Sequence, residues 1–215
     1  FLIDRTGKMS KSSGEFLRLP LLIDKGFHPL AYRLMCLQAH YRSELEFSWE
    51  GLAAAFTRLK RMVMGVASIK ARHAGLDEAS SSTPEQVRSD QAFSSILRSF
   101  DEAIDDDLNT PVALTALDLA LGLKRVDGGR QLASVDMMDA VLGLNLLQLN
   151  RADLRIRPKA ATISEAEIEA ALEARKAARA AKDFARSDAL RDQLIAAGVE
   201  VMDGDPLGWD WRIEL

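Results

Sequence analysis

The sequence predicts a mainly α fold: a lysine-bearing loop on a helical stem, an antiparallel helix bundle, and a small C-terminal α+β module made of a helical hairpin and a β-hairpin. Three observations predict it. Apolar residues recur at spacings of three and four over most of the stretch from Leu21 to Leu144. Helix-entry patterns punctuate the chain at Ser48, at Asn109-Thr110-Pro111 and at Ser164. After Gly198 the period falls to two, with Val199 and Val201 facing Trp209, Trp211 and Ile213 across a Gly/Asp/Pro turn. The expected division is residues 1–50 for loop and stem, 51–150 for the bundle, 151–163 for a basic linker and 164–215 for the C-terminal module.

The chain opens Phe1-Leu2-Ile3-Asp4 without an initiator Met, so a piece of a longer protein is expected, without a secretory leader. Residues 1–20 hold an apolar start, a Gly-Lys turn, a Ser/Gly-rich loop and Pro20. Pro29 stands just inside a helix start, where its missing N–H costs nothing, and that helix is expected to reach about Ala39. Ser48 is an N-cap for a long helix to about His73, whose buried stripe is Leu52, Phe56, Leu59, Val63, Val66 and Ile69. Ala79–Pro84 reads as a loop. A helix follows over 84–105, with Phe93, Ile96, Leu97, Phe100 and Ile104 on one face.

Asn109-Thr110-Pro111 opens the next helix, expected to end near Arg125. Asp105, Asp106 and Asp107 are read as favouring the positive end of its dipole rather than as an ion site, because consecutive residues at a helix entry cannot all face one ion. Asp127-Gly128-Gly129 is read as a break before a helix from about Gln131 to Leu144. In the C-terminal module, Ser164 and Glu167 form a capping-box pattern, helices are expected over 165–181 and 184–196, and Gly198 is a C-cap.

Composition sets the outer limits. Hydrophobic residues make up 47% and charged residues 28%, as in an ordinary globular protein, and no apolar run approaches the roughly 20 residues that span a bilayer. The lone Cys36 excludes an internal disulfide and suits a reducing, cytoplasmic setting; in its apolar helical run it reads as a buried structural thiol. His28 and His73 are expected at the surface. The net charge of −4 argues against bulk, charge-driven nucleic-acid binding but leaves room for recognition by a few placed side chains. Residues 164–215 carry seven basic against twelve acidic side chains, so any phosphate attraction there must be local, and the stretch Arg151–Lys159 is the better candidate for it.

Two segments carry chemistry. Lys8-Met9-Ser10-Lys11-Ser12 places two lysines three apart in a loop of small hydroxyl residues, a cationic clasp suited to a departing polyphosphate. Further on, His40-Tyr41-Arg42-Ser43 and Phe100 through Asp105-Asp106-Asp107-Leu108-Asn109-Thr110-Pro111 precede a helical pair bearing Lys182-Asp183-Phe184-Ala185-Arg186-Ser187-Asp188 and a closing Gly208…Trp211-Arg212. These blocks, in this order, resemble the C-terminal half of the cysteinyl-tRNA synthetases, class I enzymes whose second signature is Lys-Met-Ser-Lys-Ser.

The resemblance implies that Lys8 and Lys11 are catalytic and that Lys8, Met9, Ser10, Lys11 and Ser12 bind ATP, a substrate of the intact enzyme together with Mg. It implies that Arg179, Phe184, Asp188, Arg191 and Asp203 read the anticodon. The physics is sensible: unpaired bases stack on an aromatic face, carboxylates accept from base amino groups, and Arg donates in a planar fork. The partners implied are tRNA(Cys), ATP and cysteine, for a monomeric enzyme. The family's His-Ile-Gly-His motif and its zinc ligands belong to an N-terminal half absent from this sequence, so no metal is expected in this chain, and the segment by itself is expected to be inactive. Phe184 stands where the family often has Trp, which keeps the stacking face and loses the indole donor. Three other readings stay open: a related ligase joining cysteine to an aminosugar in mycothiol synthesis, a non-catalytic helical RNA-binding protein, and, for 164–215, an internal salt-bridge lattice on an amphipathic helix pair.

Overall fold

The computed structural model describes the backbone of residues 2–4 and 7–8, together with residues 18–75, 84–203, 205 and 207–213. Among these the chain forms eight helices and five short strands in two compact units. Of the clasp, Lys8 is placed as backbone only; Met9, Ser10, Lys11 and Ser12 lie outside the described residues, as does most of the Ala79–Pro84 loop.

The first unit comprises residues 1–16 and 30–151. Its strands are β1 (Leu2–Asp4), β2 (Gly7–Lys8) and β3 (Leu45–Glu46) in the order β2-β1-β3, with β1 antiparallel to β2 and parallel to β3. The bundle proper is α3 (Trp49–Ala74), α4 (Pro84–Asp105), α5 (Thr110–Gly122) and α6 (Gly128–Leu142). Ser48 caps α3 by accepting the Gly51 N–H at 3.0 Å. All six residues of the expected α3 stripe are buried, against α5 and α6, while α4 packs on α5. The helix expected up to Ala39, α2, runs Pro29–Leu37, and Cys36 on it is half-buried, hydrogen-bonded to Tyr32, with burial pushing its thiol pKa up.

The two largest differences from the expected helix boundaries are at the end of α5, set by tertiary contacts, and at the start of α6, set by a local cap. α5 ends at Gly122 rather than near Arg125, because side chains from elsewhere take up its terminal carbonyls. Arg72 donates to the Leu123 and Lys124 oxygens, and Gln131 Nε2 donates to the Ala120 oxygen at 2.6 Å. α6 begins at Gly128, so the two glycines open the helix instead of breaking the chain. Asp127 caps it through the Arg130 N–H at 2.7 Å. Gly128 is needed for contact: a Cβ there would lie 2.8 Å from His73 Cβ at the end of α3. His73 is exposed, as expected.

The three aspartates do not cap α5. Asp105 closes α4; the N-cap Asn109 makes no side-chain cap, and Asp107 and Leu108 turn the chain with φ of 54° and 55°. Asp107 points instead to the His40-Tyr41-Arg42 segment. Tyr41 Oη donates to its Oδ1 at 2.6 Å, Arg42 Nη2 to the same oxygen at 3.2 Å, and His40 Nε2 lies 3.1 Å from its carbonyl oxygen.

The second unit comprises residues 17–29 and 152–215. It holds α1 (Leu19–Asp24), α7 (Glu165–Ala180), α8 (Phe184–Ala196) and the hairpin β4 (Val199–Val201) with β5 (Trp209–Trp211). Pro20, just ahead of the helical pattern expected from Leu21, falls at the first turn of α1, where proline is well tolerated. Ser164 and Glu167 complete the capping box of α7, and Gly198 ends α8 with φ 81°. The strands pair antiparallel, Val199 opposite Trp211 and Val201 opposite Trp209. Ile168, Leu194, Val199, Trp209 and Trp211 form the core, with Ile163, Leu172 and Val201 against it.

The segment before α7 packs into this unit. Lys159 N–H donates to the Asp24 carbonyl at 2.8 Å, Arg157 donates to the Ala161 and Ile163 carbonyls, and the Arg155 guanidinium lies 3.7 Å above the Trp209 ring. Arg155 and Arg157, read as candidates for phosphate contact, are therefore engaged within the protein. His28 is half-buried rather than at the surface, and its pKa is lowered by that burial, with Asp153 opposing.

Candidate nucleic-acid interface

The helical spacing of the sequence places Phe184, Asp188 and Arg191 at i, i+4 and i+7 of α8, one face of the helix. All three are exposed, Phe184 at 61%. A large aromatic ring on the first residue of a helix, with Asp183 capping through the Arg186 N–H at 3.0 Å, is held at its base and bare on its surface. α7 packs on α8, and its Arg175 and Arg179, one turn apart, meet Asp203 just beyond β4.

Asp203 is the centre of this arrangement. Arg175 Nη1 and Nη2 donate to its two carboxylate oxygens at 2.8 and 2.9 Å, and Arg179 Nη1 to Oδ2 at 3.4 Å. The hydrogen-bonded Arg175 fork holds the Asp203 carboxyl below its usual pKa; the charges of Arg175, Arg179 and Arg191 add to this, while burial opposes it. Asp188 is within electrostatic reach of Arg175, whose pKa is raised, first of all by its hydrogen bonds to Asp203. The structure thus gathers Arg179, Asp188, Arg191 and Asp203, four of the five residues expected to read bases, into one charged constellation. Phe184 shares a helix face with two of them.

Sequence reasoning does not assign Arg175 to this group. Its one signal is the i, i+4 relation to Arg179, masked by the many charges of 165–192. Arg175 is 7% exposed whereas the Asp203 side chain is 58% exposed. A groove of about 1010 Å³ runs beside the pair, between α7 and the hairpin, with Leu172, Met202, Leu207 and Trp209 among its walls.

The arrangement can accept and donate hydrogen bonds at one rim. A carboxylate has about four acceptor sites, and the two arginines occupy three of them at Asp203. The fourth is on Oδ1, while Arg179, 53% exposed, makes its single long bond to Oδ2. An open acceptor and an exposed donor on one carboxylate, with an exposed ring on the neighbouring helix, suit the edge and face of a splayed nucleobase.

Among the described residues no group of three or more His, Cys, Asp or Glu side chains could hold a metal ion. Nor is any helix among the described residues long and apolar enough to cross a membrane.

Comparison with known proteins places the chain among relatives of one kind. Residues 164–212 match the model of the cysteinyl-tRNA ligase anticodon-binding domain. The chain is 66% identical to a cysteine–tRNA ligase of Novosphingobium aromaticivorans over 99% of its own length and 41% of that protein's. It is 46% identical to a cysteine–tRNA ligase of Zymomonas mobilis, over all of this chain and 46% of that one, and 40% identical to cysteine–tRNA ligase 1 of Burkholderia lata. The chain therefore spans less than half the length of these relatives. By sequence it is similar to the C-terminal portion of cysteine–tRNA ligases over almost its whole length, and its last fifty or so residues match that family's anticodon-binding domain.

Proposed function

We propose that this chain serves a cysteine–tRNA ligase in two places: Lys8–Ser12 form the ATP loop, and residues 164–215 recognise the anticodon of tRNA(Cys). In the intact enzyme the cysteine carboxylate attacks the α-phosphorus of ATP and pyrophosphate leaves. A ribose hydroxyl at the tRNA 3′ end then attacks the carbonyl of the adenylate and releases AMP. Lys11 neutralises the leaving phosphates, Lys8 with the loop backbone shapes the site, and Met9, Ser10 and Ser12 complete the loop. Mg accompanies ATP, and zinc belongs to the N-terminal portion, as does the pocket for the amino acid. This chain alone binds the anticodon stem-loop weakly and catalyses nothing.

The observation that carries the reading is the placement of Arg179 and Arg191 near Asp203 and of Asp188 near Arg175, with Phe184 bare on the Asp188–Arg191 face of α8. A purely internal ion-pair lattice gives no reason for a 61%-exposed phenyl ring at its edge. The match of residues 164–212 to an anticodon-binding domain weighs against the aminosugar ligase, which is expected to lack that hairpin.

The test is titration of the chain with a stem-loop carrying the GCA anticodon and with variants changed at each position of the triplet. Discrimination of about 1–3 kcal/mol per changed base is expected. Equal affinity for all of them would remove the anticodon assignment.

A further inference from the structure

The Arg175–Asp203 pair is asymmetric. The carboxylate stands at the surface and its cation lies beneath, buried between α7 and the hairpin. An ordinary surface ion pair has both partners in water, and each can leave. Here Arg175 Nε is buried without a hydrogen-bond partner among the described residues, so the guanidinium is committed to Asp203 through its two terminal nitrogens. The hairpin supplies the other constraint: Met202 N–H donates to the Gly208 carbonyl at 2.9 Å, closing the turn from which Asp203 projects. A bidentate fork fixes both the plane and the distance of the carboxylate, whereas a single-point contact would let it rotate about its side-chain torsions.

We propose that Arg175 is a positioning residue for base recognition: it never touches RNA but fixes the Asp203 carboxylate so that one outward acceptor site has a defined direction. The inference rests on the base-reading role given to Asp203 above. It accounts for why a chain segment with excess negative charge brings a carboxylate toward a polyanion. The buried guanidinium neutralises that carboxylate from behind, and Arg179 is left loose enough to donate beside it. Removing the fork leaves the groove in place and loosens the acceptor, so discrimination falls further than overall affinity.

The experiment uses the full 215-residue chain and measures dissociation constants for the GCA stem-loop and its single-base variants. The proteins are wild type, Asp203→Asn, Arg175→Lys and Arg175→Met, each checked by circular dichroism and thermal melting. Asp203→Asn is expected to lower discrimination at one anticodon position by about tenfold, the scale of a base-edge contact. Arg175→Met is expected to lower it at the same position by a comparable factor, and Arg175→Lys by a few-fold, with smaller changes in affinity at the other positions. In either Arg175 variant the Asp203 carboxyl ¹³C titration should move toward the ordinary carboxylate range.

If discrimination holds in both folded Arg175 variants while only the melting temperature drops, the pair is a structural staple and the proposal is overturned. Failure of both variants to fold likewise makes the pair a staple and overturns it. If Asp203→Asn itself leaves discrimination unchanged, the base-reading assignment of Asp203 fails first, which the Arg175 variants alone would not show.

Discussion

Tyr41 Oη and Asp107 Oδ1 lie 2.6 Å apart and join two segments that are far apart along the chain. His40 stacks on Tyr41 with ring centroids 4.9 Å apart, and Arg42 Nε lies 3.1 Å from Asp107 Oδ2. One carboxylate thus collects a phenol and a guanidinium, and the residue that carries it has a left-handed backbone, which Asp tolerates better than most. Asp107→Ala loses the acceptor and keeps the unfavourable φ. It is expected to cost about 1–2 kcal/mol in urea unfolding, and Asp107→Gly less because glycine relieves the backbone. Equal costs for the two would show that the φ value carries no energy.

Gly128 and His73 form a steric pair. Gly128→Ala drives a methyl to 2.8 Å from His73 Cβ, an overlap that the end of α3 must move to relieve. A loss of about 1–3 kcal/mol is expected. Because the clash is with the His73 side chain, the double variant Gly128→Ala/His73→Gly should recover part of it. A double-mutant cycle with no coupling would contradict this contact.

Asp139 supports the turn after α6. Its carboxylate accepts the Leu144 N–H at 2.8 Å and the Leu146 N–H at 2.6 Å, both buried. Asp139→Ala strands two backbone donors and should destabilise the first unit by roughly 2–4 kcal/mol. Faster amide exchange at Leu144 and Leu146 is the local signature. Unchanged protection there would mean that the carboxylate is dispensable.

Acid should weaken the second unit. Burial lowers the pKa of His28, so its unfolded form binds the proton more readily. The stabilisation this gives is complete above the ordinary histidine value, about 6.5, and is lost as pH falls through the folded value. Asp203 has the same sign in a lower window: its folded pKa is depressed, and its contribution is present above about 3.9 and lost as pH falls through the folded value. Melting followed by tryptophan fluorescence in a Trp49→Phe background, where the signal comes from Trp209 and Trp211, should therefore show a decline in two stages. A flat profile between pH 7 and pH 5 would contradict the His28 assignment.

What is legible in the sequence is local. The α3 stripe, the Ser48 and Ser164 caps, and the hairpin registered by Val199 and Trp211 are each encoded within a few residues. So is the α8 face of Phe184, Asp188 and Arg191, because spacing along one helix needs no partner. What escapes needs contacts from far along the chain. α5 stops early because Arg72 and Gln131 reach its carbonyls, and position 128 is a glycine because His73 leaves no room for a side chain. Three aspartates ahead of a helix look like dipole partners until Tyr41 and Arg42 are found facing one of them. Arg175 is hidden for the same reason: a buried arginine inside a charged helix is indistinguishable in sequence from its solvated neighbours, and only the position of Asp203 tells them apart.

The second unit is stitched from two lengths of polypeptide, with the Asp24 carbonyl taken by the Lys159 amide and Gly26 against Pro158. During synthesis the earlier strip leaves the ribosome long before its partner exists, and it must wait unpaired while the intervening helices are made. Closing so long a loop adds an entropic toll that grows only slowly with length, so the delay is kinetic rather than thermodynamic. Any excised version that begins at the Ser164 cap would keep its hairpin and its helix pair while losing the Lys159 amide that takes the Asp24 carbonyl and the Arg155 guanidinium that lies over the Trp209 ring.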